Sequence, residues 1–267
     1  MVGDAISHAV LPGIVIAFLV SGSRASLPML AGAALIGLLT TFLIETFHRK
    51  AKLQTDAAIG ITFTSLFALG VILISLFAGQ VDLDQECVLY GEIEYIPLDV
   101  IITSGGIDLG PRSVWIMGSV LVLIIGMIAI GYKGLYLTTF DPSFAAALGI
   151  STVFWHYLLM GAVSLTTVVA FDSVGAILVV AFLIAPAATA YLLIKENFLH
   201  MLILAAVAGI ISSIGGYFLA SLINGSTAGA MSVIAGLQFL LALLFSPTEG
   251  VFFKKRRRQQ HLAPEGI

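Results

Sequence analysis

The sequence is organised as a series of apolar runs, each about as long as the roughly 20 residues that a helix needs to cross the hydrocarbon core of a bilayer. With 59% hydrophobic and 10% charged residues and a mean hydropathy of +1.09, the chain lies outside the range of soluble globular domains. The runs therefore predict an all-α, polytopic bundle with about eight transmembrane spans. The predicted spans are 1–20, 27–47, 56–78, 113–131, 153–171, 174–194, 199–220 and 228–246.

Basic residues between the spans predict the orientation of the chain, because Lys and Arg concentrate in the cytoplasmic loops of membrane proteins. Basic clusters occur at 48–52 and 254–258, and six predicted spans separate them. An even number of crossings places both clusters on the cytoplasmic side. The prediction is a transmembrane domain over 1–250, followed by a basic cytoplasmic tail over 251–267.

Segment 79–112 is the longest predicted external connection, and it carries seven of the chain's 15 acidic residues. Its only basic residue is Arg112. Such a charge run is typically a solvated surface, but it would also suit an electrostatic funnel for cations or a docking surface for an extracytoplasmic partner. Residues 88–102 are so apolar that we expect part of this segment to enter the membrane or to lie on its surface.

Asp4 and His8 lie at the start of the first predicted span, four residues apart. A helix places such residues on one face, one turn apart. Ionisable groups are costly to keep within a membrane segment, so their presence there usually indicates function. A carboxylate and an imidazole together suit divalent metals such as Mn, Fe and Zn. Two ligands do not hold a metal, so the others would come from a second copy of the helix, from another segment or from water.

A short helix is predicted at about 141–149, within the predicted cytoplasmic segment 132–152. Asp141 is a favourable N-cap, Pro142 suits the first helical turn, and Gly149 favours a stop. Such a helix with an exposed apolar face gains little in water by itself. We expect a cytoplasmic partner or the membrane surface to cover it. The residues assigned to the helix and its contact surface are Asp141, Pro142, Phe144, Leu148 and Gly149.

The remaining polar residues in or near the spans have simpler interpretations. Glu45 is predicted to extend from its span to the membrane interface. Solvated or interfacial positions are expected for His156, Asp172 and His200, which lie near predicted span ends. Deeper polar side chains could form hydrogen bonds across helices or line a path, and these are Thr40, Thr41, Thr166, Thr167 and Gln238.

Several other classes of protein or site fit this sequence less well. Cys87 is the only cysteine, which excludes an intrachain disulfide and a cysteine-based metal site. No Gly-rich Lys-Ser/Thr loop is present, so the chain is not expected to bind ATP by that route. A secondary transporter driven by protons or by the membrane potential remains the alternative, but it should contain paired broken helices, and only the span around Pro186 is clearly interrupted. An intramembrane hydrolase would need a nucleophile or a full metal triad.

Three sequence blocks in register resemble the permease subunits of bacterial ABC transporters that take up manganese, zinc or iron. The blocks are Gly-Asp-Ala-Ile-Ser-His-Ala-Val-Leu-Pro-Gly at 3–13, Phe-Asp-Pro to Leu-Gly at 140–149, and Val-Gly-Ala-Ile-Leu to Pro-Ala-Ala-Thr-Ala at 174–190. The resemblance extends over essentially the whole chain. It also implies one more membrane helix before the first block, since family members usually carry one there.

The resemblance implies the non-enzymatic pore subunit of an importer in a bacterial cell membrane. Its expected partners are cytoplasmic ATPase subunits, an extracytoplasmic metal-binding protein, membrane lipid and a second permease copy, identical or different; no nucleic acid is expected. The resemblance assigns Asp4 and His8 to a transient metal site and 141–149 to the coupling helix that seats in the ATPase. No permanently bound cofactor is expected. The transported metal would be Mn²⁺, favoured because residues 89–97 look like manganese-type members, or Zn²⁺ or Fe²⁺.

Overall fold

The described part of the chain is predominantly helical, and its helices follow the apolar runs. The computed structural model describes residues 2–22, 26–77, 93, 96–102, 108–194 and 197–246. The helices are α1 (Val2–Ala9), α2 (Leu11–Ser21), α3 (Ser26–Arg49), α4 (Thr55–Phe77), α5 (Arg112–Phe140), α6 (Pro142–Ala147), α7 (Thr152–Leu193), α8 (Phe198–Ile223) and α9 (Thr227–Phe245).

The predicted all-α, polytopic class is confirmed. Within the described residues, six helical segments are long and apolar enough to cross a membrane. Two shorter apolar helices, Leu11–Ser21 and Ile177–Leu193, correspond to the other two predicted spans. The six long segments are Ala31–Arg49, Thr55–Phe77, Arg112–Phe140, Thr152–Phe171, Phe198–Ile223 and Thr227–Phe245.

The first predicted span consists of two helices rather than one. Helix α1 ends at Ala9, and α2 begins at Leu11 with Pro12 in its first turn. Proline lacks a backbone N–H and clashes with the preceding turn, so it favours a new helix start at this point. The Asp4–His8 motif is therefore confined to a helix of 8 residues.

Helix α5 continues to Phe140, beyond the predicted span end at residue 131. The added turns are polar enough to end an apolar run, yet they contain no proline, the residue that breaks helices most strongly. Their aromatic rings stack at the spacing of one turn, with centroids 6.1 Å apart for Tyr132 and Tyr136 and 4.9 Å apart for Tyr136 and Phe140. The helix ends where Asp141 and a proline follow, because a residue before proline disfavours helical geometry.

The predicted external turn at 172–173 is wrong in its position. The structure has helix α7 across these residues, with one non-helical residue at Gly175 (φ 77°, ψ 168°). This backbone conformation is readily adopted only by glycine. The break in the helix therefore lies a few residues after the position that hydropathy predicts.

The chain divides into two compact units, Met1–Ala176 and Ile177–Ile267. In the first unit, α1 and α2 pack against both α3 and α4. One buried cluster there joins Ala5 of α1 to Ile44 of α3 and Ala58 of α4. A second joins Ile6 of α1 and Val10, which lies between α1 and α2, to Ala33 of α3 and Val168 of α7. Helix α1 thus lies in the core of this unit.

In the second unit, α8 and α9 form a helical hairpin. A Cβ at Gly216 of α8 would overlap the backbone of Met231, so the two helices approach closely there. With its amide nitrogen turned toward the Ala208 carbonyl, Gln238 of α9 can donate to that carbonyl over 3.2 Å and accept from the Ser212 hydroxyl over 3.1 Å. This is one of the cross-helix bonds that the sequence allowed.

The described part of the acidic segment 79–112 contains a 3₁₀ turn (Ile96–Leu98) and two antiparallel strands, β1 (Val100–Ile102) and β2 (Asp108–Pro111). Val100 pairs with Pro111. Residues 78–92, 94–95 and 103–107 lie outside the described residues. The funnel, the docking surface and the membrane contact of this segment therefore stay predictions.

The crossing of α2 and α3 gives a test of the packing. A Cβ at Gly13 would overlap the backbone of Gly32, and a Cβ at Gly32 would overlap that of Gly13. Backbone cannot move aside as a side chain can, so Gly13→Ala should destabilise the protein by about 1–3 kcal/mol. The thermal midpoint of the purified protein in detergent should fall by roughly 5 °C.

The matched control is Gly126→Ala, because nothing lies within 4 Å of a Cβ at that position. This substitution should leave the midpoint unchanged or raise it slightly, since alanine favours helix over glycine. Equal midpoints for the two variants would contradict the close crossing.

Candidate functional site

Helix α1 carries the candidate metal motif, and the structure confirms that both positions lie on one helix. The His8 side chain is half-buried, and its ring faces two phenylalanines of α4, with centroid distances of 5.5 Å to Phe63 and 6.3 Å to Phe67. The side chain of Asp4 lies outside the described residues, so the pairing of the two side chains stays a prediction. The neighbours Ala5 and Ile6 are buried and hold the helix in the core.

The donor set in the described part of a single chain is incomplete. Among these residues, no group of three or more His, Cys, Asp or Glu side chains could hold a metal ion. An aromatic wall on one side of His8 also limits the directions from which a metal could approach the imidazole. Within the described residues, the arrangement can supply a nitrogen ligand from His8 at the edge of α1.

The short helix α6 begins as the sequence predicts. The Oδ1 atom of Asp141 accepts a hydrogen bond of 2.9 Å from the Phe144 backbone N–H, and Pro142 is the first helical residue. The helix is followed by Gly149 in a left-handed conformation (φ 78°). The predicted N-cap, first-turn proline and glycine stop are therefore all confirmed.

Helix α6 and Leu148, which follows its last residue, present one buried side chain and otherwise exposed positions. Ala145 is fully buried, whereas Phe144 and Leu148 are 52% and 58% exposed. A large aromatic and a large aliphatic side chain thus stand beside each other on a short, capped helix. This surface can bind an apolar partner groove with little rearrangement.

The structure brings together Glu45 and His156, for which the sequence predicted separate interfacial positions. The Glu45 side chain is only 13% exposed. Its Oε1 accepts from Arg49 Nε, and its Oε2 accepts from His156 Nε2 at 3.1 Å. Glu45 therefore does not extend freely to the interface. The predicted topology contained the signal for this contact, because it places both Glu45 and His156 at the cytoplasmic ends of their spans.

Most of the deeper hydroxyl groups are bonded within their own helix. The hydroxyls of Thr40, Thr41 and Thr166 each donate to the carbonyl four residues earlier. Ser164 and Thr167 are fully buried, and their hydroxyls have no hydrogen-bond partner in the described part of the chain. Among the residues that the structure describes, these threonines make no cross-helix bond that would define a path. His200 is exposed, and the side chain of Asp172 lies outside the described residues.

Comparison with known proteins gives a consistent result over nearly the whole chain. Residues 1–246 match the model of the family described as the ABC 3 transport family. The chain is 51% identical to the manganese transport system membrane protein MntD of Bacillus subtilis, over 96% of this chain and 86% of that protein. It is 45% identical to the zinc transport system membrane protein TroD of Treponema pallidum, over 94% of this chain and 68% of that protein.

A solved structure agrees with these relatives. The chain resembles a chain of PsaBC from Streptococcus pneumoniae in complex with Fab, with a TM-score of 0.75 and 34% identity. The match covers 95% of this chain and 84% of that one.

The cap of α6 can be tested by hydrogen exchange. Asp141→Ala removes the acceptor for the Phe144 amide, and a lost N-cap costs about 1 kcal/mol. The exchange of amides in α6, followed by mass spectrometry, should accelerate by about fivefold. Asp141→Asn should exchange like the wild type, because asparagine caps about as well as aspartate. Unchanged exchange in Asp141→Ala would show that the cap does not stabilise this helix.

Proposed function

This chain belongs to the ABC 3 transport family, and we propose that it is the membrane subunit of an ATP-driven importer that moves manganese into a bacterial cell. The chain itself carries no ATP-binding loop, so hydrolysis falls to separate cytoplasmic subunits. The observation that carries the proposal is the position of Asp4 and His8 on α1, a helix in the core of the first unit. A carboxylate and an imidazole in that position are costly unless they bind cargo.

Manganese is the favoured cargo for two reasons. The relative named for manganese is 51% identical, whereas the relative named for zinc is 45% identical. Oxygen ligands such as the Asp4 carboxylate also suit Mn²⁺. Zinc is the second candidate, since a mixed nitrogen and oxygen site binds Zn²⁺ more tightly than Mn²⁺ when both are present. Iron ranks third.

The transient site would be built from two copies of α1. One chain offers Asp4 and His8, and a second permease subunit would double this set to two carboxylates and two imidazoles. Such a set completes the ligands that one chain lacks. Its affinity must stay moderate, because a transported ion has to leave the site as readily as it enters. The aromatic wall of Phe63 and Phe67 would hold the His8 ring in place during this exchange.

Helix α6 would be the contact with the ATPase. The exposed Phe144 of α6 and Leu148 just after it form the apolar surface, and the Asp141 cap and Gly149 fix both ends of the helix. A rigid, preformed helix loses little entropy on docking and transmits a displacement well. An extracytoplasmic protein would deliver the metal near segment 79–112, and ATP-driven movement of α6 would open the cytoplasmic side.

The metal site can be tested with purified transporter in liposomes. Asp4→Ala and His8→Ala should each reduce ATP-dependent Mn²⁺ uptake by more than about tenfold, since loss of a metal partner usually costs at least that much. Co-purification with the ATPase should not change. His200→Ala is the control, because this exposed histidine lies outside the motif and its loss should leave uptake intact. Normal uptake by the Asp4→Ala, His8→Ala double variant would refute the site.

Substitutions in the docking surface should have a different effect from those in the metal site, because they should release the ATPase. Phe144→Asp or Leu148→Asp places a charge in the apolar contact, so the ATPase should no longer co-purify and uptake should cease. Ser151→Asp adds the same charge nearby and retains the capping oxygen that Ser151 provides to the Phe154 amide. The complex should survive this control. Retention of the ATPase by both α6 variants would place the docking surface elsewhere.

A further inference from the structure

The Glu45–His156 pair joins two helices that are distant in sequence. The two residues are 111 positions apart, on α3 and on the first part of α7. A carboxylate accepts hydrogen bonds and does not donate them, so His156 Nε2 carries the shared hydrogen. With a side chain only 13% exposed, Glu45 has little water to replace this partner.

A second contact between the same two helices lies eight residues from the pair on each of them. Gly37 lies eight residues before Glu45 on α3. Ser164 lies eight residues after His156 on α7. These two residues also meet, because the Ser164 hydroxyl occupies the space that a Cβ at Gly37 would need. The two helices therefore run antiparallel and meet at these two places, eight residues apart on each helix, and the polar pair is one of them.

On the α7 side, the pair is close in sequence to α6. Only residues 148–151 separate α6 from α7, and His156 lies in the second turn of α7. The adjacent Trp155 ring fills the space over Gly131 and Gly134, where a Cβ would overlap it. The start of α7 is therefore held against α5 by Trp155 and against α3 by His156.

On the α3 side, the pair is close to the metal motif. Ile44, the neighbour of Glu45, is in the same buried cluster as Ala5, the neighbour of Asp4. The contact between α3 and α1 at these residues is apolar and fully packed. A displacement of α3 here would therefore also displace α1. The Glu45–His156 bond is thus a polar connection between the helix that follows α6 and the helix that packs against α1.

The pair is unsuited to act as a second metal site. Arg49 Nε binds the other carboxylate oxygen of Glu45, so a cation already neutralises this group. A metal ion would have to displace Arg49 or face its charge. Structural connection is the role that these contacts support.

We propose that the hydrogen bond between Glu45 and His156 transmits the movement of α6 to α1, and so couples ATP hydrolysis to the metal site. This inference rests on the proposed function, because it takes α6 as the ATPase contact and α1 as the metal helix. Glu45 and His156 are positioning residues that do not touch the metal. Without the bond, the ATPase would still dock and hydrolyse ATP, but α1 would respond weakly.

The test measures the response of α1 in the purified complex of permease and ATPase. Hydrogen exchange of the amides in residues 2–10 is compared before and after trapping with ATP and vanadate. Trapping should change this exchange in the wild type. His156→Ala should reduce the change by at least about fivefold, the lower range of typical coupling effects. His156→Gln should preserve it, because its amide can donate to Glu45 from a similar position.

Arg49→Gln is the matched control on the same carboxylate. It removes the ion pair within α3 but leaves the bond between helices, and Arg49 is itself 54% exposed. In Arg49→Gln, the change in α1 exchange on trapping should stay within about twofold of the wild type, since exposed ion pairs contribute little. The swap Glu45→His with His156→Glu should recover the response that Glu45→Ala loses.

Metal uptake per ATP hydrolysed, in liposomes with the binding protein, provides an independent second measurement. This ratio should fall in His156→Ala while basal hydrolysis and the KM for Mn²⁺ remain unchanged. A wild-type-like response of α1 in His156→Ala would overturn the proposal, and so would a raised KM with a normal ratio, which indicates a metal ligand. Absence of metal uptake by the wild type would refute the proposed function, whereas the exchange measurement would still decide the role of the pair.

Discussion

A membrane interior offers no water to polar groups, and this constraint accounts for much of the structure. Backbone groups are bonded within helices, and hydroxyls such as those of Thr41 and Thr62 donate to carbonyls of their own helix. The more demanding groups are ionisable. Glu45 is bound by two cationic or donor side chains, and His8 lies against aromatic rings in the core of its unit. Charged and imidazole side chains in such a protein therefore report directly on its function.

The constraint also explains how the proposed transporter separates its tasks. Cargo would be handled by α1, a helix of 8 residues held in the core by its alanine and isoleucine faces. The energy source would be contacted by α6, which exposes apolar side chains and has well-defined ends. Between them, α3 and the first part of α7 meet at the Glu45–His156 bond and at Gly37 and Ser164. Because the ATPase contact and the metal site are separate but connected, ATP hydrolysis at one can move an ion bound at the other.

Features fixed by local sequence were predictable, and features fixed by tertiary contact were not. The spans follow from apolar runs, and the start of α6 follows from Asp141 and Pro142, because hydropathy and capping are local properties. The end of α5 was missed because polar aromatic turns end an apolar run without ending a helix. The Glu45–His156 bond was missed because it joins residues 111 positions apart, and each residue alone has an ordinary interfacial interpretation.

The most direct test of the account is metal accumulation in cells that carry this permease with its ATPase and binding protein. Elemental analysis would compare them with cells whose ATPase subunit is inactive but still assembles. The account predicts that manganese rises above background only with the active ATPase. Accumulation that is equal with the inactive subunit would contradict it and would indicate a secondary transporter driven by protons or the membrane potential.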